Sequence, residues 1–299
     1  MRKISYILLI IVLFSGISYS QNDGAGNTGL AFLKLGIGAR SIAMGEAFSS
    51  LADDGTAYIY NPARMNASEN GNVTAMFNKT MLDMTTNYVG AKFRIKKIGI
   101  GIGLLKTSVS DIEVRNTPGA PLETFSAENF SGGISLSYEV YKNLSLGVTG
   151  KLIYEKLYID ESSGFGMDIG ANYIYKNFSI AAVVNNIGSM NELKVETTKL
   201  PTSLRFGASY LYRKDNMSIT GSIDAFKVID GGSFHGHFGA EGGYKDFIFL
   251  RTGYQTGYEN KGFTAGLGLK YKTLTIDYAL QPYTTGFGSG NSLSLGFNF

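Results

Sequence analysis

The sequence predicts an all-β fold, a transmembrane antiparallel β-barrel of about 14 strands with an N-terminal plug segment. Most of the chain alternates apolar with small or polar residues, and this period of two with one apolar face indicates β-strands. After the first twenty residues no apolar run is long enough for a transmembrane helix, so a closed barrel is the other way to cross lipid. The composition agrees, with 39 Gly, 19 Tyr, 19 Phe and 5 Pro.

Residues 1–20 have the features of an export signal peptide. Arg2 and Lys3 provide a basic start, residues 7–14 are an unbroken apolar run, and Ser18-Tyr19-Ser20 is a small-x-small cleavage site. The apolar run is too short to span a bilayer as a helix, which needs ~20 residues. We therefore expect the mature chain to begin at about Gln21.

Residues 21–71 are predicted to form a plug or hatch. They lack the alternation of the rest of the chain, and they are rich in small and apolar residues. They are also too many for a simple linker. A barrel of fourteen strands is wider than one of about eight, whose interior the wall's own side chains fill. A segment of this character is therefore expected to occupy the interior.

Residues 72–299 are predicted to form the barrel. Fourteen segments alternate, and the last apolar face, which ends on Phe299, resembles the closing strand of an outer-membrane barrel. Tight turns follow the even-numbered strands and longer loops follow the odd-numbered ones, the longest being 109–127. Short turns face the periplasm in such barrels, so both termini are expected there. The predicted strands are 72–79, 85–96, 97–108, 128–140, 143–156, 164–176, 177–188, 201–212, 216–226, 233–244, 246–256, 261–272, 273–281 and 290–299.

The strand faces indicate which side of the barrel wall contacts water. Charged residues keep to one face, as expected of a lumen, because a charge facing lipid costs ~2–4 kcal/mol near the midplane. We interpret these lumen charges as a satisfied network that holds the plug. Tyrosines near the strand ends are typical of the aromatic girdle. The apolar lumen positions are Leu105, Ile153, Ile174, Val183, Leu211 and Phe226, and the girdle tyrosines are Tyr138, Tyr154, Tyr173, Tyr175, Tyr210 and Tyr212.

The sequence offers little for catalysis, metal binding or nucleic acid. It has no Cys, and it lacks the Gly-x-Ser-x-Gly, phosphate-loop and His-Glu-x-x-His motifs, so we expect no enzyme and no cofactor. The formal net charge is +3 without a basic block, which argues against nucleic acid. His235, His237 and Glu241 share one strand face and are weak metal candidates. Two imidazoles that simply face the lumen are the favoured interpretation.

A run of the plug segment resembles the PorV/PorQ family of Bacteroidetes-type outer-membrane proteins, which are related to FadL-type fatty-acid transport barrels. The matching residues are Gly36 to Arg40, Met44-Gly45, Asp53-Asp54-Gly55 and Asn61-Pro62-Ala63, with Arg64 where the family usually has Gly. The resemblance implies a multi-pass protein of the bacterial outer membrane. In FadL-type relatives this region forms the hatch, so Asn61, Pro62, Ala63 and Arg40 are the candidate ligand or hatch residues.

Two functions follow, and the resemblance favours the first. The first is a type IX secretion accessory that binds secreted proteins through their C-terminal signal domains, or binds other secretion-system components. The second is a FadL-like channel that passes small hydrophobic molecules past a movable hatch. Apolar lumen positions suit the channel, whereas apolar residues in loop 109–127, such as Ile112 and Leu122, suit docking. In either case the barrel wall contacts outer-membrane lipid.

Overall fold

The chain folds as a closed antiparallel barrel of 14 strands, which confirms the predicted fold class and strand number. The computed structural model describes residues 27–80, 83–284, 286 and 288–299, so the predicted signal peptide lies outside the described residues. Neighbours along the chain are neighbours in the wall, and β1 closes the barrel against β16. The strands are β1 (Asn72–Lys79), β2 (Thr85–Ile95), β3 (Ile98–Val114), β4 (Glu123–Tyr141), β5 (Leu144–Leu157), β6 (Asp160–Tyr175), β7 (Phe178–Met190), β8 (Glu192–Leu193), β9 (Glu196–Thr197), β10 (Ser203–Lys214), β11 (Met217–Val228), β12 (Phe234–Tyr244), β13 (Ile248–Thr256), β14 (Phe263–Tyr271), β15 (Leu274–Pro282) and β16 (Ser289–Asn298).

The alternation of each strand sorts its side chains between lipid and lumen. In β15, Leu274 and Ile276 are 55% and 48% exposed on the outside, whereas Asp277 is buried in the interior. Outward apolar residues of this kind surround the barrel, so the whole outer wall suits a hydrocarbon environment. Since each of the fourteen wall strands is paired on both edges, the backbone polar groups of the wall are satisfied without water, and only the short strands β8 and β9 pair outside the wall.

Two predicted loops are shorter than expected, and a third contains a hairpin of its own. Residues 109–127 were predicted as one long loop, but β3 and β4 continue pairing to Val114 and Glu123, so only 115–122 connect them. A register shift between Val109 and Ile112 hid this extension, because it interrupts the alternation. Loop 157–163 is reduced to residues 158–159, and loop 189–200 contains the separate hairpin of β8 and β9.

The two ends of the barrel differ. The connections after β2, β4, β6, β10, β12 and β14 are turns of two or three residues, and we call this the short-turn end. Gly71 and Phe299 exchange backbone hydrogen bonds of 2.9 and 3.0 Å there, so β1 begins and β16 ends on the same side. The opposite side, with the longer connections, is the long-loop end.

Residues 27–71, called the N-terminal segment below, run inside the barrel. They form the 3₁₀ helices Ala31–Lys34 and Pro62–Arg64 and the α-helices Ala39–Ala43 and Ala57–Tyr60. Their apolar side chains join inward residues of the wall, including Leu105 and Ile153, in one buried cluster. Among the described residues, no helix is both long and apolar enough to cross a membrane. The interior is therefore packed by this segment along much of its length.

Candidate functional site

Arg40 joins the N-terminal segment to the barrel wall through an ion network. It lies on the helix Ala39–Ala43, where its Nε and Nη2 atoms donate hydrogen bonds of 2.9 Å to the two carboxylate oxygens of Glu241 on β12. Its Nη1 atom donates at 2.8 Å to Asp53, which belongs to the same segment. A guanidinium bound at both oxygens of a carboxylate is a strong and directional contact. Arg40 therefore fixes the segment at one height in the barrel.

The wall continues this network beyond Glu241. Arg251 on β13 donates from Nε to Glu241 at 2.5 Å and from Nη1 to Asp277 on β15 at 2.6 Å. Five charged side chains thus alternate in sign from the segment across three wall strands. The side chains of Glu241 and Arg251 are almost fully buried, so each depends on its partners for compensation.

A second ion pair holds the middle of the N-terminal segment. Asp224 on β11 accepts hydrogen bonds from the backbone N–H groups of Phe48 and Ser49 at 3.3 and 3.0 Å. Arg205 on β10 contacts the same carboxylate at 3.3 Å and donates to the backbone carbonyl of Glu46 at 2.8 Å. Sequence reasoning did not single out either charge as a contact of the segment. The signal it had was only their position on the polar strand face.

Asn61 anchors the end of the segment that leads into the first strand. Its side-chain amide donates to the backbone carbonyls of Ser49 at 3.1 Å and of Ala171, on β6, at 3.3 Å. Its side-chain oxygen accepts from the N–H of Ala63 at 3.0 Å, so it caps the helix Pro62–Arg64 with proline in the first position. The backbone of Asn61 is extended, as the following proline favours.

Wall glycines allow this anchor to approach the barrel. A methyl group added at Gly147 of β5 would lie 2.3 Å from the backbone carbon of Pro62, and one added at Gly170 of β6 would lie 2.1 Å from the amide oxygen of Asn61. Glycine inside a strand often marks such a close backbone approach. Sequence reasoning missed these two positions, although inward glycines next to a predicted plug were the available signal.

Arg64, which stands where the resembled family usually has glycine, is buried within the segment. It donates from Nε to the carbonyl of Ala52 at 3.1 Å and from Nη2 to that of Leu51 at 3.3 Å. Burial lowers the pKa of this guanidinium to about 10, with nearby Asp53 opposing the shift. The side chain therefore remains charged at neutral pH and ties residues 51–52 to the helix Pro62–Arg64.

The two histidines lie in an aromatic cluster and are separated from Glu241. His235 stacks on Tyr258 with ring centroids 3.9 Å apart, and His237 Nε2 lies 3.0 Å from the hydroxyl of Tyr258. Phe226 lies 6.0 Å from both imidazoles. Glu241 is occupied by its two arginines. The described residues contain no group of three His, Cys, Asp or Glu that could hold a metal ion, so the weak metal candidates are not brought together.

Two cavities flank the N-terminal segment. The larger, of about 590 Å³, opens at the short-turn end and is lined mainly by polar and charged groups, including Arg40, Asp53, Arg251 and Asp277. The smaller, of about 40 Å³, lies toward the long-loop end. Its lining is mixed and comes from both the segment and the wall, and the charged residues in it are Lys34, Glu46, Lys151 and Arg205. The apolar lining residues are Leu33, Leu35, Ile59, Leu105 and Phe226.

Solved structures share this architecture, whereas sequence comparison finds no relative. No family model and no curated protein matches the chain. The crystal structure of the toluene transporter TodX from Pseudomonas putida superposes with a TM-score of 0.65 at 14% identity, over 88% of this chain and 98% of that one. The CymD monoaromatic hydrocarbon channel superposes with a TM-score of 0.62 at 12% identity, over 93% and 98%.

These comparisons bear on the fold and on the two functions expected from sequence. The closed barrel with its apolar outer wall is an outer-membrane barrel, as expected. The similar structures are those of channels and transporters, and they agree with the channel alternative better than with the secretion accessory. Nothing in them supports the PorV/PorQ resemblance in particular.

Proposed function

We propose that this protein is an outer-membrane channel for small hydrophobic molecules, with the N-terminal segment as its hatch. The observation that carries the proposal is the combination of a TodX-like and CymD-like barrel with a partly apolar pocket on the long-loop side of that segment. A hydrophobic molecule entering at the long loops would meet Leu33, Leu105 and Phe226 before any charged group of the Arg40 network. The proposal includes no catalytic step.

The dimensions of the pocket support movement of the segment during transport. A volume of about 40 Å³ holds little more than a water molecule, which occupies roughly 30 Å³ of liquid. Ligand pockets for small organic molecules are typically ~300–1,000 Å³. A transported molecule would therefore displace residues 33–35 and 58–60, and the hydrogen bonds of Arg40 and Asn61 would hold the remainder of the segment in place.

Binding of toluene to the detergent-purified barrel tests the proposal. Leu105→Gln places an amide in the apolar pocket, and burying an unpaired polar group costs about 1–3 kcal/mol. We expect saturable toluene binding by the wild type and roughly 5- to 100-fold weaker binding by this variant, measured by titration calorimetry. Leu211→Gln, in the polar cavity at the short-turn end, is the matched control and should bind as the wild type does.

Two outcomes would contradict the proposal. One is the absence of saturable binding to a wild-type barrel that migrates as folded on a semi-native gel. The other is an equal loss of binding in the Leu105→Gln and Leu211→Gln variants, which would show that toluene does not bind specifically in the pocket around Leu105. Uptake of labelled toluene by cells that express each variant extends the test to transport.

A secretion accessory of the PorV/PorQ type is the second candidate. Besides the motif from Gly36 to Ala63, it is supported by exposed apolar residues at the long-loop end. Leu122, Ile159 and Val195 are 66%, 77% and 78% exposed, and all three lie in or beside connections. Purification from the native outer membrane in mild detergent, followed by mass spectrometry, separates the candidates. Co-purified secreted proteins that share a C-terminal domain would support this role, and bound apolar small molecules would support the channel.

A further inference from the structure

The short turns repeat one arrangement of residues around the barrel. An outward tyrosine ends the strand, and a lysine follows it in the turn, in four of the six short turns. The other two turns also have basic pairs, since Lys96-Lys97 form one turn and Arg213-Lys214 end β10 just before the other. The four Tyr-Lys pairs are Tyr141-Lys142, Tyr175-Lys176, Tyr244-Lys245 and Tyr271-Lys272.

The lysines of this ring turn outward. The ammonium groups of Lys176, Lys245 and Lys272 each lie 5.4 Å from the ring centroid of the preceding tyrosine. Those tyrosines are 51–65% exposed on the outer wall. The cations therefore stand at the outer perimeter, level with the aromatic girdle, where a membrane has its headgroups.

The lysines of the ring also lack acidic partners. None of the salt bridges found among residues 27–80, 83–284 and 288–299 includes Lys96, Lys97, Lys142, Lys176, Lys214, Lys245 or Lys272. At the long-loop end, by contrast, Lys79 pairs with Asp83 and Lys106 with Glu128. The positive charge of the short-turn end is thus left available to an external anion.

We propose that this Tyr–Lys ring binds the phosphate groups of anionic phospholipids in the membrane leaflet at the short-turn end. The tyrosine rings lie against the upper acyl chains and glycerol region, and each ammonium reaches a headgroup phosphate beside its ring. Basic residues near an anionic surface are attracted to it within about a Debye length. Lys176 and Lys272 also border the cavity at this end of the barrel, so the ring lies at the rim, between that cavity and the lipid.

Defined lipids in nanodiscs provide the test. We would reconstitute the full barrel with phosphatidylglycerol and phosphatidylcholine of identical acyl chains, and measure the lipids retained by native mass spectrometry. We expect phosphatidylglycerol to be retained at least about fivefold over phosphatidylcholine, the factor corresponding to roughly one basic contact at the membrane surface. The preference should decrease as salt is raised.

Charge variants assign the preference to the ring. The quadruple variant K142Q/K176Q/K245Q/K272Q should lose the preference, and the arginine version at the same positions should keep it. The matched control K79Q/K106Q/K156Q/K194Q removes the same charge from the long-loop end and should retain the wild-type preference. Migration as a folded barrel on semi-native gels ensures that each comparison concerns native protein.

Three outcomes would overturn the proposal. The first is equal retention of the two lipids by the wild type. The second is an equal loss of the preference in the short-turn and long-loop glutamine variants. The third is equal retention of the two lipids together with binding of soluble polyglutamate, which would assign the ring to an acidic protein partner instead.

Discussion

At the scale of single residues, Arg40 has the most consequential contacts, because it connects the N-terminal segment to the network of Glu241, Arg251 and Asp277 in the wall. Sequence reasoning selected it through a family motif, which gave no partner. The structure supplies the partner, Glu241, 201 positions away along the chain. Its role therefore follows from its two carboxylate contacts, one within the segment and one on the wall.

Replacing Arg40 with Gln should loosen the segment. Removing one partner of a buried ion pair costs about 3–5 kcal/mol, and here the cost falls to about 2–3 kcal/mol because Arg251 still neutralises Glu241. We expect faster proteolytic cleavage within residues 27–71 and higher ionic conductance in planar bilayers. Arg115→Gln, which removes an exposed arginine, should change neither. Unchanged conductance with Arg40→Gln would mean that the network does not hold the segment.

Asn61 tests the opposite end of the same segment. Asn61→Ala removes a helix cap and two hydrogen bonds to backbone carbonyls, which should lower stability by about 1–3 kcal/mol. The change is measured as a lower urea midpoint of unfolding in detergent, together with increased conductance. Asn70→Ala, at an exposed position before β1, is the control and should match the wild type. Lower stability with unchanged conductance would limit Asn61 to a local structural role.

At the scale of elements, the fit between segment and wall depends on small residues in β5 and β6. A strand that faces a packed interior normally carries side chains inward, but β5 presents Gly147 to Pro62 and β6 presents Gly170 to Asn61. The helix Pro62–Arg64 thereby lies directly against the wall. The contact has no room for a methyl group, so it sets both the height and the orientation of the segment.

Two glycines of β5 give a matched test of this fit. Gly147→Ala should push the helix Pro62–Arg64 off the wall, because the added carbon would lie 2.3 Å from backbone. Overpacking of this kind costs about 1–3 kcal/mol. Gly150→Ala points outward, with nothing within 4 Å, and should be neutral. Hydrogen exchange of residues 57–66, followed by mass spectrometry, should increase only in the first variant. Equal exchange in both would show that the segment does not depend on this contact.

At the scale of the whole molecule, the barrel and its contents are separate structural layers. The wall closes through pairing of β1 with β16, in which no residue of the N-terminal segment takes part, and Arg251 pairs with Asp277 directly rather than through Arg40. The wall should therefore fold without the segment. The segment determines how much free space remains in the lumen, because fourteen strands enclose more volume than their own side chains fill.

Deleting residues 27–66 tests this separation. We expect the shortened chain to migrate as a folded barrel and to form pores of much higher conductance than the wild type, since the packed interior is removed. Single-channel recording in planar bilayers gives the measurement. As the control, residues 116–121 at the tip of the β3–β4 hairpin are deleted from the otherwise intact chain, and this deletion should leave conductance unchanged. Wild-type conductance after the first deletion would mean that wall side chains alone close the pore.

The sequence by itself determined the barrel. Period-two alternation is a local property, so it determined the strand number, the lipid and lumen faces, and the alternation of short and long connections except between β5 and β6, which only two residues connect. It failed at Val109–Ile112, where a register shift breaks the period, and therefore placed the end of β3 too early. The motif around Asn61 singled out this residue but gave none of its contacts.

Only the tertiary structure decided which lumen groups meet. Arg40 donates hydrogen bonds to Glu241, and Asp224 accepts them from the N–H groups of Phe48 and Ser49. Gly147 lies against Pro62. These contacts form because the segment docks at one height against one set of strands. It also separated His235 and His237 from Glu241. Alternation assigns a residue to a face, but pairing across a lumen depends on the closure of the barrel and on the path of the segment inside it, and neither is encoded in local periodicity.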